Sequence, residues 1–255
     1  METPKSQLVV EVSGVESPKF TSPLLLVHGL WCGADVWRRY AGFLAHRGWS
    51  CHALNLRGRC GRPPARGLED YETDVREAMA SLDAQPVVVG HDIGGLLALR
   101  AAASARAVVA LAPCVPAFDP AGLVRGLARL GLRAGRPVRA PRGEPGRRYV
   151  GDPALTLVPE PSAVVRTLMR DTIEVPSSAT PTLIVAGGQD LFVPFARAEA
   201  LARRLGAAFS VDTSAGHALP VEAGWERRVN DLHRWLIQQL GDPLLALREE
   251  SEQDE

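Results

Sequence analysis

The 255-residue sequence has no excess of charge of either sign, because 29 lysines and arginines balance 29 aspartates and glutamates. Without a basic excess, the composition favours neither nucleic acid nor a membrane surface as a partner. It also lacks an apolar, uncharged run of the roughly 18 residues that a membrane-spanning helix needs. We therefore expect a protein that has no membrane span and acts on a small-molecule substrate.

Cysteine is scarce, and the four cysteines follow no metal-ligand spacing. They lie in or beside predicted apolar strands and loops, at Cys32, Cys51, Cys60 and Cys114. Free thiols in such places are typical of a reducing compartment. The first residues, Met1 to Ser6, are polar and do not resemble an apolar signal segment. We therefore expect a cytoplasmic protein without disulfides, metal or cofactor.

Apolar strands and amphipathic helices alternate along most of the chain, which predicts an α/β protein with a mostly parallel sheet covered by helices on both faces. The expected strands are Leu8–Val12, Leu24–Val27, Cys51–Leu56, Val87–Val89, Val108–Ala112, Leu183–Ala186 and Phe209–Val211. The expected helices are Val36–His46, Glu69–Leu82, Ile93–Ala103, Ala196–Leu205 and Trp225–Leu240. With 46% hydrophobic residues, the chain is long enough for one large domain with a substantial core.

Residues 115–180 interrupt this alternation and divide the predicted core into residues 1–114 and 181–244. The segment carries ten arginines and six acids, so four positive charges are in excess. We expect a small cap insertion, whose arginines form either a solvated helix face or a patch that attracts anionic or amphipathic substrates. The pattern predicts no fixed structure for residues 134–146. Residues 245–255 are acidic and are expected to form a disordered tail.

The most informative stretch is Val87–Gly95. Its three leading valines predict a short buried strand, and the apolar run that starts at Ile93 predicts a buried helix. Asp92 lies at the turn between them, where a strained backbone requires small neighbours such as Gly90 and Gly94. Its side chain would leave the sheet at the N-terminus of the helix, near the free N–H of Ile93. Taken alone, this motif presents Asp92 either as a nucleophile or as a helix cap.

Residues Gly90–Gly95 resemble the nucleophile elbow of the α/β-hydrolase fold, in the aspartate form found in epoxide hydrolases and haloalkane dehalogenases. Leu24–Trp31, an apolar strand that runs into a His-Gly turn, resembles the segment that supplies the second oxyanion-hole donor. The buried strand within Pro181–Asp190 ends in a carboxylate similar to the acid of the family's triad. Ser214–His217 resembles the segment that carries the histidine. The order nucleophile, acid, histidine is the one that this fold uses.

The resemblance implies the α/β-hydrolase fold and a catalytic triad of Asp92, Asp190 and His217. It also implies an oxyanion hole made by the backbone N–H groups of Leu30 and Ile93. Each member has an ordinary alternative, since Asp190 is suited to cap the following helix and His217 to lie on the surface. Four motifs in the expected order favour the catalytic interpretation.

A carboxylate nucleophile is suited to an sp³ carbon, because water activated by His217 can cleave the alkyl ester formed on Asp92. Attack on a carbonyl ester would instead form an anhydride. The triad therefore favours epoxides or alkyl halides. Dehalogenases of the kind resembled have a tryptophan directly after the nucleophile, where this chain has Ile93. Trp31 and Trp37 are the remaining candidates to reach a halide.

Epoxide hydrolases protonate the leaving oxygen with two cap tyrosines, and this cap has one, Tyr149. We expect an epoxide hydrolase, with Tyr149, Trp31 and His28 as candidate contacts to the substrate or leaving group. For His28, a structural role in its turn is the favoured interpretation, because its ring can hold the loop by hydrogen bonds.

Residues His28–Trp37 lack the proline that follows His-Gly-X in epoxide hydrolases. The segment is more similar to small-cap esterases and hydroxynitrile lyases, whose elbow carries serine. Two alternatives therefore stay open: an esterase-like or lyase-like enzyme with an altered nucleophile, and a catalytically silent binding protein. Because Asp190 and His217 are both retained, the silent protein is the less favoured of the two.

Overall fold

The computed structural model describes residues 9–13, 18–59, 61–115, 136–152, 154–169 and 173–241. Within these ranges, seven strands form one sheet and are numbered β1 to β7 in chain order. Their bounds are Val9–Ser13, Leu24–Val27, Cys51–Leu54, Val87–His91, Ala107–Leu111, Thr182–Gly187 and Ala208–Asp212.

The strands lie in the order β1-β3-β2-β4-β5-β6-β7. Only β1 is antiparallel to its neighbour, and the other five pairs are parallel, which confirms the mostly parallel sheet. The central strands β2, β4 and β5 are buried along their whole length. Such burial explains their nearly uninterrupted valine, leucine and alanine, because a parallel strand is covered on both faces.

Helices flank the sheet. Their bounds, α1 to α7, are Arg38–Ala45, Leu68–Ala80, Ile93–Arg100, Gly143–Val150, Ser162–Leu168, Phe195–Leu205 and Trp225–Leu240. Helix α1 packs against α7, and α2 packs against α3. In α7, Val229, Leu232 and Leu236 are buried at helical spacing. Among the described residues, no helix combines the length and the apolar character needed to cross a membrane.

The helix ends differ from the prediction where the chain tightens into 3₁₀ turns. The predicted helix Val36–His46 begins with a 3₁₀ turn at Ala34–Trp37, before α1 starts. The predicted helix Ile93–Ala103 likewise ends at Arg100 and continues as a 3₁₀ turn. Such turns are common at helix ends, and apolar periodicity does not distinguish them from a regular helix.

Between β5 and β6 lies the described part of the proposed cap. The expectation that residues 134–146 lack fixed structure is wrong where they are described. Val138 is buried and pairs with Glu160 in an antiparallel bridge, and α4 begins at Gly143. A bridge to a residue 22 positions away leaves no local signal, which explains the error. Residues 116–135, which carry part of the arginine-rich segment, and the acidic tail 245–255 fall outside the described residues.

Candidate active site

Asp92 occupies a strained turn between β4 and α3, with φ 56° and ψ −118°. L residues rarely adopt this conformation, which costs on the order of 1–3 kcal/mol. The turn closes because its neighbours are glycines. A Cβ atom at Gly90 would overlap the carbonyl of Gly94, and one at Gly94 would overlap the carbonyl of Val27. This tight strand-to-helix turn presents Asp92 at the carboxyl edge of the sheet.

Three donors converge on the buried carboxylate of Asp92. The backbone N–H of Leu30 donates to Oδ2 over 2.8 Å, and the hydroxyl of Tyr149 donates to the same oxygen over 2.7 Å. The thiol of Cys114 donates to Oδ1 over 2.6 Å. Ile93 begins α3 directly after Asp92, so its N–H belongs to the free donors of the first helical turn. The two oxygens therefore have different partners.

His217 and Asp190 form a buried pair beside this carboxylate. Nδ1 of His217 lies 2.8 Å from Oδ2 of Asp190, whose Oδ1 accepts the N–H groups of Phe192 and Val193. Since an ionised carboxylate only accepts hydrogen bonds, Nδ1 carries the proton. Nε2 has no hydrogen-bond partner among the described residues and lies 4.0 Å from Oδ1 of Asp92.

The surroundings of His217 and Asp190 favour the charged form of both side chains. Burial lowers the pKa of His217, but the charge and the hydrogen bond of Asp190, with the charge of Asp92, raise it above the ordinary value of 6.5. Burial raises the pKa of Asp190, but His217 and two backbone N–H groups lower it below its usual range. His217 is therefore a stronger base than a free imidazole.

Two further histidines near this turn are hydrogen-bonded within the protein. His28 donates from Nδ1 to the carbonyl of Gly29 over 2.8 Å and accepts the N–H of Leu56 at Nε2. His91 donates from Nε2 to the carbonyl of His217 over 2.9 Å. Burial lowers the pKa of both rings, that of His91 to about 4 with help from the charge of His217. His28 thus offers no free ring nitrogen to a substrate, and we assign it to the structure of the turn.

Aromatic rings enclose the pair. The ring of Tyr149 lies 4.4 Å from that of His217, 4.7 Å from that of Phe192 and 4.9 Å from that of Trp31. Burial and the charge of Asp92 raise the pKa of Tyr149 well above its ordinary value, so its hydroxyl keeps the proton at neutral pH. Tyr149 therefore packs against His217 through its ring and offers a protonated hydroxyl to Asp92.

The two tryptophans proposed for a halide differ in whether their indole N–H is engaged. Nε1 of Trp31 donates to the carbonyl of Val138 over 2.9 Å and so is occupied. Trp37 is buried and packs edge-on against Tyr40, with ring centroids 5.7 Å apart. Its Nε1 has no partner among the described residues.

Sequence reasoning missed Cys114, which it treated as an ordinary free thiol. Within the described residues, Cys32, Cys51 and Cys114 are buried and form no disulfide, whereas Cys60 falls outside them. Burial and the charge of Asp92 raise the pKa of Cys114 well above its ordinary value. The sequence position of Cys114 does contain a signal. Cys114 closely follows β5 as Asp92 follows β4, and neighbouring parallel strands end at the same edge of the sheet. Across the described ranges, no cluster of three or more His, Cys, Asp or Glu is placed to hold a metal ion.

Glu160 was also missed. It is 1% exposed and accepts the N–H of Trp31 over 2.7 Å. In the sequence it is an acid between two prolines in the arginine-rich segment, and nothing nearby indicates that its partners lie in the core.

Comparisons with known proteins agree with this architecture. Residues 24–232 match the model of the Alpha/beta hydrolase family. A monoacylglycerol lipase of Paleococcus ferrophilus is 20% identical, over 86% of this chain and 97% of the other, with a TM-score of 0.68. A thermophilic esterase of Thermogutta terrifontis is 21% identical, over 88% and 92%, with a TM-score of 0.64. A pyrethroid hydrolase of Sphingobium faniae is 20% identical, over 84% and 96%, with a TM-score of 0.64. No curated protein matches the sequence.

Proposed function

The chain belongs to the alpha/beta hydrolase family, and we propose that it is a hydrolase whose nucleophile is Asp92 and whose substrate is an epoxide. The proposal is carried by the buried carboxylate at the strained turn. One of its oxygens accepts the N–H of Leu30, and the other lies 4.0 Å from the unpartnered Nε2 of His217. Asp190 completes the triad by orienting His217.

In the first step, Oδ1 of Asp92 attacks a ring carbon of the epoxide. A bond forms between Oδ1 and that carbon, and the bond from the carbon to the ring oxygen breaks. Oδ2 becomes the carbonyl oxygen of the resulting alkyl ester and stays next to the N–H of Leu30. The thiol of Cys114, which donates to Oδ1 in the resting site, is displaced as the ester bond forms.

Tyr149 supplies the proton that the leaving oxygen needs. Its hydroxyl, which donates to Oδ2 of Asp92 in the resting site, shifts its hydrogen bond to the ring oxygen. The negative charge of Asp92 is one cause of the raised pKa of Tyr149, and esterification removes that charge. Tyr149 therefore becomes a better acid at the moment when the alkoxide forms.

In the second step, water between His217 and Asp92 hydrolyses the ester. Nε2 of His217 takes a proton from water, and the water oxygen attacks Cγ of Asp92. The negative charge that develops on Oδ2 is stabilised by the N–H groups of Leu30 and Ile93. The intermediate then expels the diol, which carries away the original Oδ1 and takes up the proton held by His217. The second proton of the attacking water passes from the new carboxyl group of Asp92 to the phenolate of Tyr149, so the resting site is restored. Asp92 retains the oxygen of water.

Ester hydrolysis is a second candidate, favoured by the likeness of the fold to enzymes described as lipases and esterases. A carboxylate that attacks an ester carbonyl would form an anhydride. In this alternative, His217 instead activates water for direct attack on the ester, and Asp92 forms no bond to the substrate.

The variant His217→Gln separates the two steps and tests the proposal. Without a base the second step stops, so incubation with an epoxide such as styrene oxide should leave the alkyl ester on Asp92. Intact-protein mass spectrometry should then show a gain equal to the mass of one epoxide molecule. The control Asp92→Asn should gain no mass. An unmodified His217→Gln protein, or equal gains in both variants, contradicts the proposal.

A further inference from the structure

The oxyanion donor Leu30 precedes a residue in an unusual conformation. Trp31 has φ 62°, in the left-handed region that a side chain with a Cβ atom rarely adopts. The φ angle of Trp31 sets the orientation of the peptide group that joins Trp31 to Leu30. On the other side of Leu30, its own N–H donates to Oδ2 of Asp92 over 2.8 Å. Whatever holds Trp31 therefore influences the donor next to it.

All three hydrogen-bonding groups of Trp31 are engaged by the proposed cap. Its N–H donates to Oε1 of Glu160 over 2.7 Å, and its carbonyl accepts the N–H of Val158 over 2.8 Å. Its indole N–H donates to the carbonyl of Val138. Val138 and Glu160 also pair with each other through their backbones. Val138, Val158 and Glu160 thus hold Trp31 in place beside Leu30, and we call these three residues the clamp.

Glu160 is fixed in this clamp by the core. Oε1 also accepts a hydrogen bond from Nη2 of Arg59, and Oε2 accepts the hydroxyl of Tyr71 over 2.6 Å. The side chains of Arg59 and Glu160 are 3% and 1% exposed. A buried carboxylate with three donors is held far more firmly than a surface one, because removal of one partner leaves a buried charge unpaired.

We propose that Glu160 is a positioning residue that sets the oxyanion hole through Trp31, so that the donor at Leu30 depends on the docked cap. The inference rests on the proposed function of Asp92 and adds a structural requirement to it. Glu160 lies outside the triad and acts on the reaction only through the backbone of Trp31 and Leu30.

The two chemical steps depend on this donor differently. Negative charge leaves Asp92 during alkylation and returns to Oδ2 when water attacks the ester, so the N–H of Leu30 acts mainly in the second step. A displacement of about 1 Å at a catalytic group can cost about 100-fold in rate. We therefore expect Glu160→Ala to slow hydrolysis of the alkyl-enzyme by about 10- to 100-fold, with a smaller effect on alkylation.

Amide hydrogen exchange tests the clamp without any substrate. In the wild type, the Leu30 and Trp31 amides are both hydrogen-bonded and should exchange slowly by NMR. Glu160→Ala should speed their exchange at least about tenfold, while the amide of Val109 in β5 stays protected. Glu160→Gln keeps one acceptor oxygen for Trp31 and should restore most of the protection. Tyr71→Phe removes a donor from Oε2 but leaves the Trp31 contact, so it should leave the Leu30 amide unchanged.

Single-turnover kinetics with an epoxide then measure the two steps in the same variants. Slower hydrolysis in Glu160→Ala, with rescue in Glu160→Gln, supports the inference. Unchanged protection of Leu30 in Glu160→Ala overturns it, and so does a parallel loss of protection at Val109, which indicates general destabilisation. If the wild type forms no alkyl-enzyme, the proposed function of Asp92 fails, and the exchange data alone decide whether Glu160 holds Leu30.

Discussion

The two carboxylate oxygens of Asp92 lie in different chemical environments. Oδ2 lies against the N–H of Leu30 and the hydroxyl of Tyr149, whereas Oδ1 lies against the thiol of Cys114 and faces His217. In the proposed mechanism, this asymmetry assigns one oxygen to bond formation and the other to the oxyanion hole.

Tyr149→Phe tests the proton donor. The ring keeps its packing against Trp31 and Phe192, but the leaving alkoxide receives no proton. We expect epoxide alkylation of Asp92 to slow by about 100- to 10,000-fold, the usual contribution of a general acid. Rapid-quench mass spectrometry of the alkyl-enzyme measures this rate.

An alkyl bromide of the same carbon skeleton is the matched substrate for this variant, because bromide leaves without a proton. Any reaction that the wild type shows with it should persist in Tyr149→Phe. A variant that opens the epoxide at the wild-type rate would remove Tyr149 from the mechanism.

Among the elements, the segment between β7 and α7 carries His217, the proposed base, and it has to hold this side chain in place. Arg228 of α7 is buried and donates to the carbonyls of Leu219, Glu222 and Ala223 and to the carboxylate of Asp212. Burial raises the pKa of Asp212, but Arg227, Arg228 and Ser214 lower it far below its usual range. The guanidinium of Arg228 therefore connects Asp212, at the start of the segment, to Glu222 and Ala223 near its end.

Arg228→Met should therefore be costly. The variant leaves Asp212 and three carbonyls without their buried donor, and we expect a loss of about 3 kcal/mol in the free energy of unfolding. Urea denaturation followed by circular dichroism measures it. The control is Arg227→Met, because Arg227 also contacts Asp212 but is 62% exposed and should contribute far less. Equal losses in both variants would show that Arg228 has no special role.

The core elements were predictable because their signals are local. Runs such as Val87–Val89 mark buried parallel strands, and the stripe Val229, Leu232 and Leu236 marks the inner face of α7. The cap elements were not, since the bridge from Val138 to Glu160 depends on distant partners. Glu160 shows the same limit at the site, because an acid whose partners Arg59 and Tyr71 lie 101 and 89 residues away has no sequence signature.

For the molecule as a whole, the family fixes the fold but not the reaction. The solved relatives are at most 21% identical among those compared, and they are described as lipases, esterases and a pyrethroid hydrolase. One fold hosts many reactions, so the reaction has to be argued from Asp92 and its neighbours.

The stability of the whole chain should depend on pH through its buried histidines. The pKa of His91 is lowered from 6.5 to about 4 on folding, so between these values the unfolded chain binds more protons and unfolding is favoured. His28 and the carboxylate of Asp190 act in the same direction as pH falls. His217 acts in the opposite direction, because its raised pKa favours the folded state until pH rises through it.

We therefore expect the free energy of unfolding to fall from pH 6.5 to pH 4, with about 3 kcal/mol of that fall due to His91. Urea titrations across this range measure the slope. His91→Gln cannot titrate and should show a correspondingly shallower slope. An identical slope in both proteins would contradict the assignment of His91 as a buried neutral ring.

The central claim is that Asp92 forms a covalent bond to its substrate, and a single turnover in ¹⁸O-water tests it most directly. With enzyme in excess over an epoxide, water hydrolyses the ester at Cγ of Asp92. Mass analysis should find the label in the peptide that contains Asp92 and an unlabelled diol, while aryl esters and haloalkanes serve as comparison substrates. A labelled product together with an unlabelled Asp92 would show that water attacks the substrate directly, and would contradict the account.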